Sequence, residues 1–167
     1  MNKIKDDEIK NSVEYKWRSY QIKVYLVVLM IILVVTFIVP LLSLILKTNS
    51  FKLALLIWLC FNIIIDLVLG SFALYNFYRN KYLLNNYKKF KYFEVTLDNV
   101  CVSYMYKGTV YYNVTIIDED KKIDVKTNPY FSSFKTAQFT LEDYNNKKVC
   151  GLYDDKLNKF YIISKID

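Results

Sequence analysis

The sequence predicts an α+β membrane protein, a two-helix transmembrane hairpin followed by a small antiparallel β-barrel or curved β-sheet domain. Three observations predict it. Residues 24–46 are 23 in a row without a formal charge, and residues 53–78 are 26 with one exception, Asp66. From about Tyr92 the apolar period changes to two. Glycine and proline are scarce, three and two in 167 residues, so little interrupts either helix.

Residues 1–23 read as a polar cytoplasmic leader with six basic and four acidic residues. Its length and the lack of a small-residue cleavage site argue against a removable signal peptide. Either apolar run, at 1.5 Å per helical residue, exceeds the roughly 30 Å of hydrocarbon in a bilayer. Neither keeps the polar stripe that a helix in a soluble core usually carries. These runs are transmembrane helices 1 (24–46) and 2 (53–78), joined by a short external loop, 47–52, with only Lys47 and Lys52 as charges.

Both outer flanks are more basic than that loop, so the expected topology is multi-pass in the cell membrane with both termini cytoplasmic. Tyr15, Trp17, Tyr20 and Tyr25 at one end and Tyr75, Phe77, Tyr78 and Tyr82 at the other supply aromatic belts. Residues 79–91 form a basic juxtamembrane helix or linker, with Leu83, Leu84, Tyr87 and Phe90 at helical spacing. Its Arg79, Lys81, Lys88, Lys89 and Lys91, with Lys16, Arg18 and Lys23, are expected to meet anionic lipid headgroups.

Residues 92–167 read as a cytoplasmic β domain, and residues 91–167 carry eleven basic and eleven acidic residues. Strands are expected through Phe93–Leu97, Val100–Tyr106, Val110–Ile116, 123–127, about 136–141, 149–153 and 159–164. Turn signals separate them at Lys107-Gly108, Asp118 to Lys122, Tyr144 to Lys148 and Tyr153 to Asn158. The order "YYNVTIIDEDKK", "TNPYFSS", "YNNKKVCGLYDD", "KFYIIS" resembles the soluble domain of poorly characterised bacterial two-span membrane proteins with a small β-barrel of the oligonucleotide/oligosaccharide-binding type. Lys148, Val149, Tyr153 and Asp154 sit where that pattern places its closing strand. Asp120-Lys121 and Asn146-Lys147 stand where its turns often hold glycine. The resemblance implies architecture and no settled activity. The abundance of Lys, Asn, Ile and Tyr suggests an AT-rich, bacterial genome.

The chemistry is sparse. Without histidine, the Ser-His-Asp and Cys-His nucleophilic arrangements and the commonest metal ligand are excluded. The glycines, Gly70, Gly108 and Gly151, make no phosphate loop. Asp118-Glu119-Asp120 and Asp154-Asp155 lie in turns beside lysines and read as solvated charges, so no metal, cofactor or catalytic residue is assigned. Cys60, Cys101 and Cys150 lack metal-binding spacing and are expected as free thiols. Tyr104, Tyr106, Tyr111 and Tyr112 could stack bases, but an electrically neutral domain lacks the field such binding needs, so nucleic acid is not expected as a partner.

Asp66 is the residue that demands a reason. Asn62, Asp66, Gly70 and Ala73 are read as one stripe on the second span, facing Thr36, Pro40 and Ser43 on the first. As a neutral acid, Asp66 would donate to Thr36 or Asn62. The alternatives are helix glue, within the hairpin or toward a protein partner or second copy, and an ion or proton pathway in an oligomer. The sequence is therefore expected to encode a non-enzymatic, membrane-anchored accessory or interaction protein. A subunit of a transport or channel complex using Asp66 is the first alternative, and a ligand- or lipid-sensing module the second.

Overall fold

The computed structural model describes residues 5–46, 50–102, 109–119, 121–132 and 139–166. Lys47, Tyr104, Tyr106, the Lys107-Gly108 turn, Asp120 and the first half of the strand expected at 136–141 lie outside the described residues. The chain divides into two compact units, one of residues 18–80 and one of residues 1–17 with 81–167.

The first unit is the apolar hairpin. Helix α2 spans Val13–Thr36, α3 spans Ile38–Ile45 and α4 spans Phe51–Asn86. The break at Phe37 falls just ahead of Pro40, whose missing N–H cannot bond the Thr36 carbonyl. Both helical segments, Val13–Ile45 and Phe51–Lys89, are long and apolar enough to cross a membrane. Only 6% of the most apolar window of each is buried inside the molecule, unlike a helix in a soluble core.

The second unit holds a mixed sheet of seven strands, not closed into a barrel, which corrects the barrel alternative. The strands are β1 (Lys91–Thr96), β2 (Asn99–Val102), β3 (Thr109–Asp118), β4 (Lys121–Lys126), β5 (Phe131–Ser132), β6 (Lys148–Asp154) and β7 (Lys159–Lys165). Their order is β1-β6-β7-β4-β3-β2, with β5 also on β3. All pairings are antiparallel except β4 with β7, a single parallel bridge at Lys126 and Lys159. Two antiparallel groups are thus joined by one weak seam, and the ion pair of Lys91 with Asp118 links β1 to β3. A short helix, α5 (Leu141–Tyr144), is capped by Thr140, whose hydroxyl accepts from the Asp143 N–H. Leu141 therefore begins a helix where the sequence suggested the end of a strand.

Glu119, Asn146 and Asn158 take left-handed backbone conformations in the turns, with φ of 48°, 57° and 47°. Asparagine tolerates that region, so the two Asn turns form without glycine.

One core gathers Val110, Tyr112, Val114, Ile116, Val125, Phe131, Val149, Phe160 and Ile162. The alternation along β3 puts Val110, Tyr112, Val114 and Ile116 inward. Burial pushes the Tyr112 phenol up to about 12. A second core lies on the other face of β6 and β7, where Cys150, Leu152, Tyr161 and Ile163 meet Ile9, Leu83 and Tyr87.

The leader is consequently not a polar tail. Helix α1 (Asp6–Asn11) buries Ile9 completely. Ser12 follows it, its hydroxyl donating to the Ile9 carbonyl at 2.6 Å and accepting the Tyr15 N–H at 3.2 Å, which caps the start of α2. Val13 enters the first core, and Trp17 packs on Tyr130 at 5.9 Å between ring centroids. Glu14, 1% exposed, accepts from the Asn128 side-chain amide at 2.9 Å through both oxygens.

Candidate functional site

The polar groups of the hairpin divide into an inner set and outer residues, Asp66 among them. Thr36 Oγ1 donates to the Ile32 carbonyl at 2.7 Å and lies 3.2 Å from Asn62 Nδ2. The Trp58 indole N–H donates to the same hydroxyl at 3.0 Å. The Asn62 amide also donates to the Trp58 carbonyl at 2.8 Å. Further along, the Arg18 guanidinium donates to Asn76 Oδ1 at 3.0 Å and lies 5.8 Å from the Tyr75 ring centroid. Asn80 donates to the Ser19 hydroxyl at 3.1 Å. Arg18, Asn62, Asn76 and Asn80 are all buried.

Thus Thr36 and Asn62 meet as the sequence suggested, and Asp66 does not join them. Asp66 is exposed and has no hydrogen-bond or ion-pair partner among the described residues. The reason is helical arithmetic. Each four-residue step turns about 40° past a full circle, so Asp66 and Gly70 rotate progressively away from Asn62. The face of α4 that packs inward instead runs through Asn62, Ala73, Asn76 and Asn80, mixing steps of three and four. Gly70 offers no close approach inside the hairpin, since a Cβ added there would meet nothing within 4 Å. Ser43 donates to the Pro40 carbonyl at 2.9 Å, one turn back in its own helix. Asn76 and Asn80 escaped the sequence reading, although their spacing from Asn62, 14 and 18 residues, is a near-whole number of turns.

The basic residues behave differently from one another. Lys81, Lys88, Lys89 and Lys91 are exposed, whereas Arg79 is half-buried and Arg18 is buried. Lys88 lies over the Tyr87 ring, Lys89 reaches Asn86 at 3.4 Å, and Lys91 is held by Asp118. Arg18 is therefore a packing residue, not a surface cation.

On the β domain, Asn99, Asn113, Thr115, Asp124 and Lys126 line a polar cleft of about 300 Å³ across β2, β3 and β4. Thr115 donates to Asp124 at 2.6 Å, and Lys126 sits 5.6 Å from the Tyr111 ring centroid. Tyr112 is fully buried against Phe131, so the two described tyrosines of the suggested stacking surface point to different environments.

Asp154 overturns the reading of a solvated turn charge. It is fully buried, accepts from the Lys156 and Leu157 N–H groups at 3.1 and 3.4 Å, and accepts from the Tyr161 hydroxyl at 3.2 Å. It organises the β6–β7 turn, as an Asx side chain does. Asp154→Ala is expected to cost about 3 kcal/mol, because three donors lose a buried acceptor. Urea unfolding of the full chain in mild detergent checks it, and an unchanged midpoint would refute it.

All three cysteines are free thiols. Among the described residues no group of three or more Cys, Asp or Glu converges as a metal ion would require. No family model, curated protein or solved structure matches this chain.

Proposed function

We propose that this chain is a non-enzymatic accessory or interaction protein anchored in a cell membrane, with residues 24–46 and 53–78 spanning the bilayer and the β domain presented at the cytoplasmic face to another protein or a second copy. The observation that carries the reading is the nearly unburied apolar surface of both long helices. In water such a surface would drive aggregation, and in lipid it is the stable exterior. The basic flanks support the cytoplasmic orientation, since cations next to spans are retained on that side and attracted to anionic headgroups.

The test is flotation with vesicles and protease protection. The full chain is expected to float with lipid, resist carbonate extraction, and lose its β domain to protease only when the cytoplasmic face is accessible. A detergent-free, monodisperse monomer in the high-speed supernatant would refute the reading.

A second reading, a subunit of a transport or channel complex, is favoured by one feature: Asp66 faces out of its own hairpin, where a neighbouring subunit would stand. Two helices cannot enclose a pathway alone, so this reading requires that neighbour. Intact assembly with abolished ion or proton flux in Asp66→Asn would select it. The sensing alternative rests on the polar cleft at Asn113 and Asp124, whose mixed amide, carboxylate and ammonium groups suit a small polar ligand.

A further inference from the structure

We propose that Asp66 is the recognition point for a single spanning helix of another protein, one that carries a lysine or arginine within its apolar run. The proposal deepens the anchored-interaction reading and rests on residues 24–46 and 53–78 lying in lipid.

The hairpin closes without Asp66. Trp58 and Asn62 both bond the Thr36 hydroxyl, Arg18 bonds Asn76, and Asn80 bonds Ser19. The carboxylate is left on the outer surface, about 20 Å along the helix from Leu53 and so well inside the hydrocarbon. Its surroundings are apolar, with Leu59, Ile63 and Phe77 on the same face at 50%, 50% and 53% exposure. Ionisable groups at such depth pair with one another or line a polar cavity. Here the carboxylate has neither among the described residues.

Charge decides the occupant. Residues 24–46 and 53–78 contain no lysine or arginine, so a second copy inserted in the same orientation brings another Asp66 to that depth and no cation. Two carboxylates together repel unless they share a proton. A lysine or arginine supplied by a different helix neutralises Asp66 and gives it charge-assisted hydrogen bonds. Gly70 provides the room. It stands one turn from Asp66, and the space its Cβ would occupy is open, so a partner backbone or an aliphatic stem can approach there.

The experiment measures fluorescence transfer in phosphatidylcholine vesicles between the labelled full chain and synthetic leucine-rich spanning helices. One helix carries a lysine level with Asp66, one carries it two turns away, and one carries none. The level lysine is expected to strengthen association about ten-fold, the size polar pairs reach between model helices in membranes. Asp66→Asn should abolish that preference, Gly70→Leu should weaken it, and Asp66→Lys should restore it toward a helix bearing aspartate at the same level. Equal association of all three helices with the wild-type chain would overturn the proposal. Transfer between copies of the chain that depends on Asp66, without preference for lysine, would also overturn it in favour of self-association. Failure of the chain to float with the vesicles would instead remove the membrane reading beneath it.

Discussion

Ile9→Asp is expected to unfold the β domain while the apolar hairpin keeps its helices. Ile9 is fully buried in the core built from Leu83, Tyr87, Cys150, Leu152, Tyr161 and Ile163. Strands β6 and β7 are buried on both faces because α1 and the end of α4 cover the side that the rest of the sheet does not. The substitution removes a fully packed side chain and places a carboxylate among apolar groups. The cost is about 4 kcal/mol or more, against a typical domain stability of roughly 5–15 kcal/mol. Hydrogen exchange of the full chain in mild detergent should show loss of protection through residues 148–165, with protection in residues 53–78 retained. Retained protection in β6 and β7 would mean that α1 is dispensable. By the same reasoning a fragment starting at residue 92 lacks Ile9, Val13, Trp17, Leu83 and Tyr87 and should not fold stably.

The two long helices and the β-rich remainder were legible because each depends on a local pattern. Uncharged length marks the apolar helices, and a period of two marks β3 at Val110, Tyr112, Val114 and Ile116. Strand order was not legible. Pairing β1 with β6 joins Lys91 to Tyr153 across 62 positions, and no periodicity encodes such a contact. The role of the leader was hidden by its charge and by the break at Ser12, which sends Ile9 to one core and Val13 and Trp17 to the other, so that no single helical face marks them. Asp154 looked like a solvated turn acid because turns are usually exposed. Its burial follows from the Tyr161 hydroxyl and two turn N–H groups converging on it. At the candidate site, Thr36 and Asn62 were found by helical spacing and matching depth, whereas the side on which Asp66 lies depends on the small angle accumulated over each helical turn. That angle separates a residue that closes the hairpin from one that faces outward.

Gly151→Ala is expected to destabilise the β domain by about 3 kcal/mol or more, at the upper end of what overpacking costs. A Cβ at this position would collide with Phe160 Cζ, lie 2.5 Å from Phe160 Cε1, and lie 2.6 Å from the Tyr161 carbonyl oxygen. The register of β6 on β7 shifts between Cys150 and Gly151, an irregularity of the kind that brings two backbones unusually close. Phe160 is fully buried and cannot swing aside without opening the first core. The double variant Gly151→Ala with Phe160→Leu separates the two obstacles. Trimming the ring removes the side-chain collision, but the Tyr161 carbonyl belongs to the strand itself and stays in place. The double variant should therefore remain destabilised relative to Phe160→Leu alone in thermal unfolding of the full chain in detergent. Recovery to the level of Phe160→Leu would show that the ring, and not the backbone of β7, is what requires glycine at this point.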